Sequence, residues 1–261
     1  MVRLSVLAAA AALAAAVATP VLAAGEAVEL KDRDWPHTGI VGTYDRASVQ
    51  RGMQIYKEVC AACHSLRFIS FRNLVQIGFT EDQAKAIAAE FEVPAEPNED
   101  GDTFDSDGLR IMRPAALFDT FPSPFPNDIA ARAANGGALP PDLSLMIKAR
   151  PNGENYMYSL LTGYVDPPAD FEMADGMNYN AYYPGHQIAM AAPLFDDAVE
   201  YVDGTQATVS QMAYDVTNFL AWAAEPNLED RHRIGLRVVI FLVILSFLLY
   251  ATKRKVWADL H

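Results

Sequence analysis

The pentapeptide at residues 60–64, Cys-Ala-Ala-Cys-His, restricts the fold and chemistry of this chain more than any other stretch. Cys60 and Cys63 are the only cysteines in 261 residues, and His64 follows them directly. Two thiols three residues apart on a helical turn suit addition to the two vinyl groups of a porphyrin edge, and the next side chain then projects over the ring. The motif therefore predicts a covalently attached c-type haem with His64 as the proximal axial ligand.

Three other interpretations of the cysteine pair stay open at this point. The pair suits a structural disulfide. It also suits a thioredoxin-like redox pair, but that site requires a βαβ context, which the surrounding sequence lacks. Half of a zinc site is the third interpretation, but a closed zinc site needs four ligands, and no second Cys/His pair stands at finger spacing.

The beginning of the chain predicts export. Residues 1–23 carry Arg3, then an Ala/Leu/Val run, then small residues at the −3 and −1 positions of a cleavage point, which is typical of a signal peptide. We expect the cut after Ala23, with Ala24 as the alternative and a retained anchor as the competing interpretation. Export supports the haem interpretation, because c-type haem is attached outside the cytoplasm.

The far end of the chain predicts a membrane span. Residues 234–252 carry a single charge, Arg237, and at about 1.5 Å per residue they reach roughly 28 Å, one hydrocarbon thickness. Basic residues mark the cytoplasmic side, and residues 253–255 are all basic. A buried core helix is the alternative. We therefore expect a haem domain over 24–230, a transmembrane helix over 234–252 and a cytoplasmic tail over 253–261.

The predicted exported domain is strongly acidic. Residues 24–230 contain 13 basic and 32 acidic residues, a net charge of −19, whereas six basic residues lie from Arg231 onward. This balance is unsuited to nucleic acid, whose phosphates would repel the domain. It would attract a basic soluble partner, for which we expect residues 96–107 to be the docking surface, although solubility alone is the simpler explanation.

The sequence of the exported part predicts a mainly α fold with long irregular loops. Asp45 or Ser48 is a candidate cap for a helix that leads into the haem motif, and Thr80 opens a capping box. The acidic stretch 94–108 predicts a mobile surface loop, and 118–126 predicts an extended wall against a flat cofactor. The sequence predicts four other helices: one from Thr80 to about Phe91, a short one after Asn127, one over 154–162 and one over 210–224.

The ligand on the far face of the haem would decide what the haem does. An open position favours ligand binding or catalysis, whereas a thioether favours electron transfer and raises the reduction potential. Most methionines fill cores, so spacing alone selects no ligand. The candidates are Met146, Met157, Met173, Met177, Met190 and Met212, with His186 as a nitrogen ligand.

Several separated blocks of the sequence resemble the cytochrome c1 family, the haem c subunits of cytochrome bc1 complexes, over nearly the whole mature chain. A match of this many blocks is far more specific than the pentapeptide alone. The blocks are CAACHS at 60–65, NGGALPPDLS at 135–144, KAR at 148–150, YSLLTGY at 158–164, YYPGHQIAMAAP at 182–193, DGT at 203–205 and FLAWAAEP at 219–226, followed by the C-terminal span.

The resemblance implies a c-type cytochrome domain with one C-terminal transmembrane helix and one haem c. Met190 takes the axial sulfur position of the family, and His186 is not a ligand. A guanidinium near a haem propionate neutralises a charge that is costly to bury, and Arg150 is implied in that role. The residues implied to bind haem are Cys60, Cys63, His64, Pro141, Arg150, Tyr183 and Met190, of which His64 and Met190 bind iron.

The resemblance also implies an electron-transfer subunit of a ubiquinol:cytochrome c oxidoreductase, without catalytic chemistry on this chain alone. The chain would accept an electron from the Rieske iron–sulfur protein and pass it to a soluble or tethered cytochrome c, with cytochrome b as a further partner. The expected location is the bacterial inner membrane, single-pass, with the haem domain in the periplasm. The alternatives are a membrane-anchored haem enzyme or sensor with a displaceable distal ligand, and an assembly subunit with an inert haem.

Overall fold

A computed structural model describes residues 28–258, which form a mainly helical domain and one long C-terminal helix. The mainly α prediction is confirmed, whereas the predicted signal peptide lies outside the described residues. The elements are α1 (Arg46–Ile55), α2 (Glu81–Ala89), β1 (Glu92–Pro94), β2 (Met112–Pro114), α3 (Asp128–Ala134), α4 (Gly153–Leu161), β3 (Asn178–Tyr179), β4 (Gln187–Ile188), α5 (Val209–Ala224) and α6 (Leu228–Val256), with a π turn at Tyr56–Cys60 and 3-10 turns at Phe71–Ile77 and Met146–Ala149.

Helix α1 delivers the haem motif. Asp45 caps it by accepting hydrogen bonds from the backbone N–H groups of Ala47 and Ser48 at 3.0 and 3.3 Å. Its last turn widens into the π turn, where the N–H of Ala61 donates to the carbonyl of Tyr56 at 2.8 Å. The motif therefore emerges from the end of a capped helix.

Helices α1 and α5 cross at very close range. A Cβ atom at Gly52 would lie 2.1 Å from the carbonyl oxygen of Asp215, so only glycine fits at this position. The side chain of Asp215 is fully buried, and Arg51 donates to both of its oxygens at 2.9 Å. Ser48 donates to the same carboxylate at 2.7 Å. A buried carboxylate with this many donors fixes α1 against α5.

The phenylalanine-rich stretch at 118–126 differs from the predicted wall. Phe121 is 1% exposed and packs on the rings of Phe71 and Tyr56, with ring centroids 4.3 and 5.6 Å apart. Phe118 is 65% exposed and lies under the guanidinium of Arg113. Phe121 therefore belongs to an aromatic core. The prolines around it had instead suggested an extended surface segment.

The acidic stretch at 94–108 is the tip of a β-hairpin. Its base is closed by the antiparallel strands β1 and β2, and a further bridge joins Phe104 to Arg110. Asn98 and Asp105 accept hydrogen bonds from backbone N–H groups inside the tip. The six carboxylates between residues 96 and 107 are exposed, as predicted, but on a paired scaffold.

Helix α6 leaves the domain after one turn and a half. Leu228 is its only buried residue among those described, and every residue from Ile234 to Ile244 is exposed. Glu229 anchors its first turn by accepting from the N–H of Tyr44 at 2.8 Å and from Arg46 at 2.6 Å. An apolar helix of 29 residues that projects free of its own domain is a transmembrane helix.

Candidate haem site

The haem motif forms a tight turn directly after the π turn. The N–H groups of Cys63 and His64 both donate to the carbonyl of Cys60, at 3.1 and 2.9 Å. No disulfide joins the two cysteines; Cys63 is exposed and Cys60 partly buried. Burial, reinforced by the neighbouring Cys63, raises the pKa of the Cys60 thiol to about 12. The turn brings both thiols and the imidazole to one edge of the domain.

The ring of His64 is oriented by a carbonyl group. Its Nδ1 lies 2.8 Å from the carbonyl oxygen of Pro141. A carbonyl only accepts, so Nδ1 carries the proton and Nε2 keeps a free lone pair. Burial lowers the pKa of His64, against the opposing effects of the Pro141 bond and Asp142. A neutral imidazole with its second nitrogen held by a carbonyl is the arrangement that metal ligands use, so the residues present fit a haem iron.

Asp142 ties the Pro141 segment to the haem motif. Its carboxylate accepts from the hydroxyl of Ser65 at 2.7 Å and from the backbone N–H groups of Arg67 and Ser144 at 3.0 and 2.9 Å. Burial raises the pKa of Asp142, but the hydrogen bonds from Ser144, Arg67 and Ser65 outweigh it and hold the pKa below its usual range. The carboxylate thereby fixes the carbonyl that orients the imidazole.

Arg150 presents a positive charge at the surface. Its guanidinium lies 5.9 Å from the ring centre of Tyr156, and within residues 28–258 no carboxylate lies within ion-pair distance of it. Burial raises the pKa of Tyr156, against the opposing hydrogen bond to Arg150, and Tyr183 raises it further. Arg150 and Tyr156 are therefore neighbours, and an exposed guanidinium that donates only to the backbone carbonyl of Ala149 suits an anionic propionate.

Met190 lies on the loop that directly follows strand β4. Its side chain is partly buried and packs against the main hydrophobic core. Its carbonyl oxygen accepts a hydrogen bond of 3.1 Å from the hydroxyl of Tyr164. The preceding residue, Ala189, accepts from the side-chain amide of Asn178 at 3.4 Å, and the two-residue strands β3 and β4 pair just before it.

The structure narrows the list of distal ligands that spacing left open. Met157 and Met212 are 6% and 0% exposed inside helices α4 and α5, where they fill the core. Met177 is 41% exposed in a turn. His186 stacks on Tyr179 with ring centroids 5.6 Å apart, and its Nδ1 lies 3.3 Å from a backbone carbonyl. The partly buried candidates that remain are Met146, Met173 and Met190.

The structure brings one group of the predicted site residues together. His64 follows the two thiols and contacts Pro141, whereas Arg150 lies against Tyr156, which was not predicted. Within the described residues neither Met190 nor Tyr183 makes a hydrogen bond with any of these residues. Sequence reasoning missed Asp142, Tyr156 and Tyr164 as supporting residues; Asp142 and Tyr164 lie in quoted blocks, at 135–144 and 158–164.

Comparisons with known proteins agree with this geometry. The cytochrome C1 family matches residues 35–260 of the chain. The relative from Arabidopsis thaliana, "Cytochrome c1 2, heme protein, mitochondrial", is 51% identical over 234 residues, which are 89% of this chain and 74% of that protein. "Cytochrome c1" of Rhodospirillum rubrum is 47% identical over 248 residues, 89% of each chain.

A third relative carries a name that describes an assembly. The Candida albicans protein "Cytochrome b-c1 complex catalytic subunit, mitochondrial" is 51% identical over 228 residues, which are 87% of this chain and 77% of that protein. Each match reaches across the haem motif, the supporting segments and the Met190 loop. With a family match over most of its length and relatives near half identity, this chain belongs to the cytochrome c1 family.

Proposed function

We propose that this chain is the haem-bearing electron-transfer subunit of a cytochrome b–c1 complex. The observation that carries the proposal is the C-x-x-C-H turn whose histidine is oriented by the Pro141 carbonyl. The name of the Candida albicans relative, a catalytic subunit of a cytochrome b-c1 complex, supports the assembly.

The residues of this chain would hold one haem c in the following way. Cys60 and Cys63 would attach it through thioethers, and His64 and Met190 would bind its iron. When bound, haem c supplies a reversible one-electron change at its iron. Iron bound by two side chains of this chain would have no open position for a substrate, so the chain would carry an electron and break no bond.

The other site residues position the group. Pro141 and Tyr183 line its faces, in addition to the hydrogen bond that Pro141 accepts from His64. Arg150 neutralises a propionate, which its exposed and unpaired guanidinium supports. Asp142 and Tyr164 hold the segments that carry Pro141 and Met190.

The partners follow from the proposed assembly. The chain accepts an electron from the Rieske iron–sulfur protein, shares the membrane with cytochrome b, and passes the electron to a soluble or tethered cytochrome c. The acidic hairpin tip at 96–107 suits a basic cytochrome c, because opposite charges speed encounter. The basic residues at 253–255 favour a cytoplasmic tail, and hence a haem domain on the periplasmic face of a bacterial inner membrane.

Visible absorption of the purified chain, oxidised and reduced, with and without carbon monoxide, tests the proposal. We expect a low-spin c-type spectrum with a methionine-to-iron charge-transfer band and no response to carbon monoxide. A spectrum that shifts with carbon monoxide would indicate an open distal position and favour the enzyme or sensor alternative. A haem that quinol-reduced partners cannot reduce would favour the inert assembly subunit.

The docking surface has a separate test. We expect Glu99→Gln combined with Asp100→Asn to slow reduction of a basic cytochrome c and to weaken the salt dependence of the rate. The matched control is Asp170→Asn combined with Glu172→Gln, which removes the same charge from another exposed loop. If both double variants reduced cytochrome c at equal rates that did not depend on salt, the acidic residues of the hairpin would contribute to solubility and not to docking.

A further inference from the structure

The outer membrane surface is located by the start of the transmembrane helix. His232 of α6 is partly covered and contacts the domain, and the apolar stretch, exposed from Ile234 to Ile244, begins two residues later. Two residues of an α-helix rise about 3 Å, and the headgroup layers add about 5–7 Å to each side of the hydrocarbon. His232 therefore lies at the level of the lipid headgroups.

A turn of the N-terminal segment lies at this same level. Nδ1 of His232 donates to the carbonyl oxygen of Gly42 at 3.1 Å. Gly42 closes a turn over 38–42, in which the N–H of Thr43 donates to the carbonyl of Pro36 at 3.1 Å. A Cβ atom at Gly42 would lie 2.2 Å from the carbonyl oxygen of Thr38, so the turn closes tightly on itself. The contact with His232 fixes its height relative to the span.

The tip of this turn presents two apolar side chains to the outside. Ile40 is 83% exposed and Val41 is 78% exposed. Residues 38–44 carry no charge, in a domain that is otherwise strongly acidic. The flanking residues Trp35 and Tyr44 are buried, at 7% and 5%, so the turn is anchored on both sides.

Apolar side chains held in this way suit the boundary between headgroups and acyl chains. We propose that Ile40 and Val41 insert into the lipid surface beside α6 and give the domain a second membrane contact. Lipid is the favoured occupant because the tip is continuous with the transmembrane helix through His232. The inference depends on α6 spanning the bilayer and is independent of the redox role.

A spin label on the turn tests the proposal in the intact haem-loaded chain reconstituted in phosphatidylcholine nanodiscs. Val41→Cys supplies one free thiol, because the native cysteines are taken up by haem. The matched control is Val202→Cys, at a fully exposed valine (100%) next to Asp203. Asp203 forms an ion pair with Arg51, and Arg51 also pairs with Asp215, which lies nine residues before the end of α5. Position 202 is therefore held away from the end of α5 that leads into the transmembrane helix.

We expect the label at position 41 to collide more often with oxygen than with a water-soluble nickel complex. The ratio of these two collision rates should be several-fold higher than for the control label. The haem absorption spectrum of both variants checks that each is folded. A ratio equal to that of the control would place the turn in water and overturn the proposal. A label shielded from both reagents would indicate a protein contact and would equally overturn it.

Discussion

The two sides of the candidate haem site are held to the domain by different amounts of structure. On the His64 side, a hydrogen bond of 2.8 Å orients the imidazole, and Asp142 accepts bonds of 2.7 and 3.0 Å from Ser65 and Arg67 that hold segment 141–144 to the residues directly after the motif. On the Met190 side, strand β4 is paired with β3, but the described hydrogen bonds to the two residues after β4 are one of 3.4 Å from Asn178 to Ala189 and one of 3.1 Å from Tyr164 to Met190.

This difference agrees with the chemistry of the two proposed ligands. An imidazole has two nitrogens, so the protein must fix the tautomer and the ring plane through a second bond. A thioether has a flexible stem and a single donor sulfur, and it adapts to the position it meets. The structure therefore places its hydrogen bonds where orientation is needed, and the Met190 side is the one we expect to release first.

The largest effect should come from removing the distal sulfur. Met190→Leu should leave the haem covalently attached but lower its reduction potential on the order of 0.2 V, within the roughly 0.8 V that axial ligands span. Redox titration of the purified chain measures this. Met146→Leu is the matched control, since Met146 is also partly buried against the core. An unchanged potential in the Met190 variant would remove Met190 from the ligand set.

The next effect concerns the other side of the site. Asp142→Ala leaves four donors without their acceptor: the hydroxyl of Ser65, the backbone N–H groups of Arg67 and Ser144, and the side chain of Arg67. We expect the free energy of unfolding to fall by about 3 kcal/mol. Denaturant unfolding of the holoprotein in detergent, followed by tryptophan fluorescence, measures the loss. Asp170→Ala, in an exposed loop, should change stability by less than about 0.5 kcal/mol. Equal losses in the two variants would show that the proximal side is no better held than an ordinary surface loop.

A smaller change should loosen the Met190 loop alone. Tyr164→Phe removes one hydrogen bond of about 1 kcal/mol, which corresponds to a roughly fivefold rise in the fraction of molecules without the methionine bond. The methionine-to-iron charge-transfer band, followed with temperature, reports this fraction. Tyr179→Phe is the control: the ring of Tyr179 stacks on His186, and Tyr179 lies in strand β3, which pairs with the strand β4 just before Met190. If the band of the Tyr164 variant melts like that of the parent, the loop has supports other than this hydroxyl.

The smallest effect is a dependence on pH. Because the pKa of Asp142 is depressed in the folded chain, its contribution to stability is present above its usual value near 3.8 and is lost as pH falls through the folded pKa. The stability advantage of the parent over Asp142→Asn should therefore be constant above about pH 5 and shrink below pH 4. Unfolding free energies of both proteins across this range decide; an advantage that persists at low pH would contradict the assignment.

Local signals in the sequence predicted much of the fold. Asp45, Thr80 and Asn127 cap the helices that follow them, as predicted, because a cap is a contact between near neighbours. The π turn before the haem motif was not predictable, since its widened hydrogen bond depends on how Tyr56 packs in the core. The short helix α2 ends at Ala89, two residues before the predicted end.

The site itself divides in the same way. The pentapeptide indicated the haem and His64, because its spacing is a local chemical requirement. The supports of the site join distant residues: Asp142 reaches Ser65 across 77 positions, and Tyr164 reaches Met190 across 26. No pattern of spacing encodes such contacts, so only the resemblance to the family singled out Met190 among six methionines.

The short connection between α5 and α6 has a consequence for how partners meet this domain. Residues 225–227 alone separate the two helices, and Glu225 is held by Lys148 at 2.7 Å and by Arg231. Because this connection is short and held by ion pairs, the domain has no flexible linker to rotate about, and it keeps one orientation relative to the membrane. Any motion needed to bring electron donor and acceptor to the haem must then come from the partner proteins, because this domain keeps a constant orientation relative to its membrane helix.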